Sequence, residues 1–251
     1  KLAGVPLWKL HGGKSNSVPV YASGINPTKP EIIAAQALEA GYQALKLKIG
    51  FDLERDTRNL AALREILGEG GNLMADANQA WDVDEASAIL EKLTPFNLAW
   101  LEEPIAADRP ESEWRLLRSL ATMPLAAGEN IQGEESFATV LSSNFLGVVQ
   151  PGLAKWGGFS RTVPVGRQII ASGKRYCPHY LGGGIGLVAS AHALAAVGGD
   201  GMLEVDINHN PLRSDLVGDL LSRRKGMACL GNAPGLGYEP DLATVQQYRI
   251  S

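Results

Sequence analysis

Short apolar runs bounded by Gly, Pro or Asn recur along the chain, and between them apolar residues return at helical spacing. Eight runs read as strands: Val18–Gly24, Ala44–Gly50, Asn72–Asn78, Leu98–Pro104, Pro124–Asn130, Phe145–Pro151, Lys174–Tyr180 and Gly201–Ile207. The intervening pattern predicts helices over Thr28–Gly41, Asp52–Leu67, Asp82–Leu93, Glu111–Ala121, Glu134–Ser142, Phe159–Ser172 and Ile185–Val197. Two of them start on a capping box, Thr28 with Glu31 and Asp82 with Glu85, in which an N-cap oxygen and an acid three residues on satisfy each other's backbone N–H. A shorter helix over Leu212–Leu221 and a Gly-rich tail close the chain.

Strand and helix alternate at a near-constant period. Lys48, Asp76, Glu102, Glu129, Gln150, His179 and Glu204 mark the strand ends at intervals of 21 to 29 residues. That regularity predicts an α/β fold, a (β/α)8-type TIM barrel with a degenerate last helix, or (β/α)7β. A doubly wound open sheet is the alternative, but no glycine fingerprint follows the first strand.

Residues two apart on a strand share a face, so Lys46 lies with Lys48, Asp76 with Asn78, and Glu204 with Asp206. In a parallel barrel the late polar residues converge on one mouth, where such folds place catalysts. Three carboxylates on neighbouring strands, Asp76, Glu102 and Glu129, form an all-oxygen site suited to Mg²⁺. The four histidines, His11, His179, His192 and His209, form no His-x-His pair, which argues against a zinc hydrolase. Two ammonium groups in one mouth disfavour each other's charge, leaving one lysine neutral enough to act as a base. A Schiff-base lysine is the other reading of the pair, but that chemistry has no use for three metal-binding acids.

Composition narrows the partners. The 251 residues are 45% hydrophobic and 20% charged, enough for a sizeable core, and the net charge of −4 comes with no basic stripe for nucleic acid. No run reaches the roughly 18 apolar residues of a membrane span. Two cysteines, Cys177 and Cys229, make no disulfide framework, so a cytoplasmic setting is expected. The chain starts at Lys1 with no secretory pattern, and a preceding piece is expected.

The succession Lys46-Leu47-Lys48, Asp76-Ala77-Asn78, Glu102-Glu103-Pro104, Gly128-Glu129-Asn130, Trp156-Gly157-Gly158 and Cys177-Pro178-His179 resembles the barrel domain of the enolase superfamily, in its mandelate racemase/muconate lactonizing enzyme group. The resemblance implies a Mg²⁺ held by Asp76, Glu102 and Glu129. It implies Lys48 as the base that takes the proton α to a substrate carboxylate, Lys46 as its charge-stabilising neighbour, and Asn78 as a substrate contact. His179 matches the acid or base on the opposite face, and Glu204 a carboxyl bonding the carboxylate or enediolate. A capping domain is expected upstream, making residues 1–17 its linker, 18–225 the barrel and 226–251 a tail packing back toward the cap. A homo-oligomer acting on a small carboxylate substrate is expected.

One position departs from the pattern. Gly152 stands where the family carries an Asp that pairs with the histidine, so His179 is expected to lack its orienting partner. That tilts the expected reaction toward dehydration of a sugar acid, in which His179 need only donate a proton. A racemase, epimerase or cycloisomerase is the alternative, as is an impaired metal-binding barrel. Gly152→Asp is then expected to raise activity or widen it toward racemisation.

Overall fold

The structure is a computed structural model that describes residues 1–217, 222–240 and 242–249. A short helix, α1 (Leu7–Leu10), precedes the barrel. The barrel strands are β1 (Ser17–Ile25), β2 (Ala44–Lys48), β3 (Asn72–Asp76), β4 (Leu101–Glu102), β5 (Leu125–Ala127), β6 (Val148–Val149), β7 (Arg175–Tyr176) and β8 (Leu203–Asp206). They alternate with α2 (Pro30–Glu39), α3 (Leu53–Leu67), α4 (Val83–Leu93), α5 (Glu111–Leu120), α6 (Glu134–Ser143), α7 (Gly158–Ala171) and α8 (Gly184–Val197). After β8 come α9 (Pro211–Val217), an antiparallel hairpin of β9 (Ser222–Arg224) and β10 (Met227–Cys229), and α10 (Leu242–Gln246).

The expected α/β barrel is present. All the barrel pairings are parallel and run β7-β6-β5-β4-β3-β2-β1-β8. Parallel neighbours need a crossover, and the amphipathic helices supply it on the outside. Among the described residues the seam between β7 and β8 carries no ladder. It closes by contact: the Met202 N–H donates to Cys177 Sγ at 3.4 Å, and Gly201 packs so tightly that a Cβ would overlap the Tyr176 carbonyl oxygen.

Two apolar layers result. Tyr21, Ala44, Met74, Trp100, Ala126, Val148 and Cys177 fill the barrel interior, with Tyr21 edge-on to Trp100 at 5.4 Å. The larger core, including Leu45, Leu47, Leu73 and Leu101, lies between sheet and helices. Period-two alternation thus divides each strand between two buried surfaces, and the polar ends of the inner row come to lie above the interior layer.

Several expectations are corrected. The Asp82–Glu85 capping box forms, but Thr28 caps nothing: α2 starts at Pro30 behind a left-handed Lys29, because Pro at the first helical position fixes its own φ. Ordered ladders are shorter than the apolar runs, down to two residues in β4, β6 and β7. The Gly-rich tail, read as lacking a long helix, contains a hairpin whose β10 pairs with the start of β1. Within the segment 1–17, Trp8 of α1 is buried and bonds to His192 of α8 and to the Gly231 carbonyl of the tail. The helix expected over Leu212–Leu221 is α9 as far as Val217; residues 218–221 lie outside the described set.

Candidate active site

Register builds the mouth. Lys48 stands opposite Asp76 in the β2–β3 pair, and Asp76 opposite Glu102 in the β3–β4 pair. Glu129 follows β5 by two residues. It comes after Gly128, whose φ of +148° and close approach to the Gln150 backbone leave no room for a side chain. His179 lies three residues beyond β7, and Glu204 sits within β8.

Lys46 is the hub. Its side chain is wholly buried, with Nζ 2.6 Å from Glu102, 2.7 Å from Glu204 and 3.5 Å from Asp76, above the Tyr21 ring at 5.4 Å. Burial works to lower its pKa, but Glu102 and Glu204 overrule it and hold the ammonium well above the ordinary lysine range. The expected mutual repulsion of the two lysines therefore does not neutralise Lys46, because buried carboxylates outnumber the amines around it. Lys48 keeps some exposure, 13% of its side chain, and reaches Asp76 at 2.6 Å and Asn78 Oδ1 at 2.8 Å.

The histidine has partners after all. His179 Nδ1 lies 2.7 Å from Glu129 and 2.8 Å from Glu204, although its N–H axis is aligned with neither oxygen. Burial alone would lower its pKa; the two carboxylates push it up to about 9. Glu129 goes the opposite way, to about 2: burial raises it, and His179 with Lys155 at 3.1 Å overcomes that. Desolvation and the neighbouring Asp76 push Glu102 up to about 7.

Asp76, Glu102 and Glu129, expected as one ligand trio, are each drawn to a nearby cation: Lys48, Lys46 and His179 respectively. Among the described residues, the trio whose ligand atoms all lie within 4.8 Å of one another is Glu102, His179 and Glu204. The expected donors still fit a hard cation. They are oxygen-only, and Asp76 and Glu102 stand in direct register on adjacent strands.

The structure adds residues that spacing did not single out. Glu103 is buried with φ +39°, its carboxylate receives Asn130 Nδ2 at 2.8 and 3.1 Å, and burial with Glu129 pushes it up to about 7. A buried non-glycine residue in the left-handed region marks a position held by its surroundings. Its signal was the second acid of Glu102-Glu103-Pro104, which alternation assigns away from the mouth. Ser23 Oγ, likewise not singled out, donates to Glu204 at 2.7 Å, while Gln150, already marked as a strand end, donates Nε2 to Glu102 at 2.7 Å. No helix of the described residues is long and apolar enough to cross a membrane.

Known proteins are similar to this chain over nearly its whole length. A mandelate racemase/muconate lactonizing enzyme structure from Bordetella bronchiseptica RB50 is 54% identical with a TM-score of 0.95, covering 98% of this chain and 69% of that one. D-galactarolactone cycloisomerase of Agrobacterium fabrum is 30% identical over 98% of this chain and 69% of its own length. L-talarate dehydratase from Polaromonas sp. JS666, complexed with Mg and L-glucarate, is 25% identical with a TM-score of 0.85, over 98% of this chain and 68% of that one. The enolase C-terminal domain-like family description matches residues 32–244. With the barrel and its strand-end acids in place, the chain belongs to the enolase C-terminal domain-like family.

Proposed function

We propose that the protein removes the proton α to the carboxylate of a sugar acid and then expels a β-hydroxyl, so that the overall reaction is dehydration. One observation carries the reading: Lys48 stands at the end of β2 and His179 after β7, and between them come the acids at the ends of β3 and β4 and just after β5. The sugar-acid class is supported by the cycloisomerase and dehydratase relatives.

Asp76, Glu102 and Glu129 are the residues proposed to hold Mg²⁺, which when bound offsets the second negative charge that proton removal creates on the substrate carboxylate. Lys46 cannot be the base, because three carboxylates hold its proton and no part of it is exposed. It serves as a fixed positive charge beside the site of developing charge. Lys48 is the amine with access, and Asn78 orients it. Between two carboxylates, His179 favours its protonated form, the state an acid needs to protonate a departing hydroxyl. A racemase would instead need a base on that side.

The test is to incubate the purified protein and Mg²⁺ with aldonates and aldarates, among them galactarate, talarate and arabinonate. Keto-acid formation and solvent deuterium at the α-carbon are then followed. Product and exchange are expected in the parent, with exchange lost in Lys48→Ala. Exchange without elimination would show racemisation, and Lys48→Ala exchanging at the parental rate would place the base elsewhere.

A further inference from the structure

Glu204 is fully buried, and both of its oxygens are engaged. Oε1 receives Ser23 Oγ and Lys46 Nζ, each at 2.7 Å; Oε2 receives the Tyr180 N–H at 3.0 Å and lies 2.8 Å from His179 Nδ1. These contacts come from β1, β2 and the segment after β7, so the carboxylate cannot turn toward a substrate without breaking them. The other acid at His179 is less fixed. Glu129 is 13% exposed and shared with Lys155, and it belongs to the proposed cation set. Strand six brings no acid to His179: a Cβ at Gly152 would make only ordinary contacts, 3.4–3.5 Å from the Lys155 stem, so the place is open but holds no carboxylate.

We infer that Glu204 of β8 is the positioning residue for His179, fixing its Nδ1–H and leaving Nε2 for the substrate, in the role that a strand-six carboxylate would otherwise fill. The inference rests on the proposed reading of the mouth as a proton-abstraction site. The other three contacts of Glu204, from Ser23, Lys46 and the Tyr180 N–H, hold Oε2 in place beside Nδ1. A carboxylate in this position holds the ring and its tautomer, and losing such an orienting partner costs on the order of 10- to 100-fold in activity. Glu204 thereby links Lys46 to His179 through one side chain, with one oxygen for each.

The experiment uses Glu204→Gln, Gly152→Asp and the double variant, all with Mg²⁺. The first readout is the His179 Nδ1–H proton in ¹⁵N-edited NMR. A downfield, slowly exchanging signal is expected in the parent, lost in Glu204→Gln and regained in the double variant. The second is turnover of whichever panel acid is a substrate. In Glu204→Gln, kcat should fall about 10- to 100-fold with KM within about twofold, and adding Gly152→Asp should recover most of it. A signal that survives Glu204→Gln overturns the inference, and so does a KM increase matching the kcat loss, which would make Glu204 a direct substrate contact. Should Glu204→Gln not fold, Gly152→Asp alone decides. Unchanged kcat supports a position already served by Glu204; a tenfold rise would show that His179 had no partner. Loss of the reaction reading is separable, because the NMR signal is read without turnover, whereas that reading fails through Lys48→Ala.

Discussion

Acid should loosen the join between the chain's two terminal segments and the barrel, and His192 is the reason. On α8 it is buried, with Nδ1 accepting the Trp8 backbone N–H at 3.1 Å and Nε2 3.3 Å from the Leu236 carbonyl. The Trp8 donor requires Nδ1 to be unprotonated, so the proton sits on Nε2 and donates to Leu236. A second proton would set two N–H groups against each other. Burial pushes the His192 pKa down to about 4, the Leu236 carbonyl opposing it only partly. The sign follows from linkage: a neutral histidine costs nothing above the unfolded value of about 6.5. As pH falls through that value the unfolded chain binds a proton that the folded chain refuses. Stability is lost between about pH 6.5 and 4, and no further below. At 1.36 kcal/mol per pH unit the loss reaches about 3–4 kcal/mol at most, a substantial part of a typical domain's stability. Urea unfolding followed by circular dichroism at about pH 7, 5.5 and 4, for the parent and His192→Gln, isolates this contribution from the other acids. His192→Gln should start less stable and lose less on acidification. Acid-induced losses that agree within about 0.5 kcal/mol between the two proteins would refute the reasoning.

Lys46→Met leaves Glu102 and Glu204 buried without their cation, and should cost about 3–5 kcal/mol at neutral pH in urea unfolding. Gly201→Ala forces a methyl into the Tyr176 carbonyl at the unladdered β7–β8 seam; a loss of about 1–3 kcal/mol is expected, visible as a lower Tm. Glu102→Gln and Glu129→Gln should each weaken Mg²⁺ binding more than about tenfold by calorimetry, and unchanged affinity in both would remove them as ligands.

Much of this protein was legible in the chain itself. Local rules are enough to place eight strands, because each buried parallel strand must be an apolar run closed by a turn residue. The same period predicts which residues end the strands, so Lys46, Lys48, Asp76, Glu102, Glu129, His179 and Glu204 could be named in advance. The Asp82–Glu85 cap is equally local, and it forms. What failed locally was Thr28, where Pro30 two residues on dictated the helix start, and the tail, where β10 is stabilised by β1 some 200 residues away in sequence. Charge state was not legible at all. Two lysines on one strand suggest mutual depression of pKa, and Gly152 suggests an unpartnered histidine. Only the closed barrel shows that Glu204, on the strand joined to β1, comes within reach of both Lys46 and His179. The sequence determines which side chains arrive at the mouth, since that depends on a two-residue period; which carboxylate meets which cation depends on how the sheet curls, and that is settled only when distant strands become neighbours.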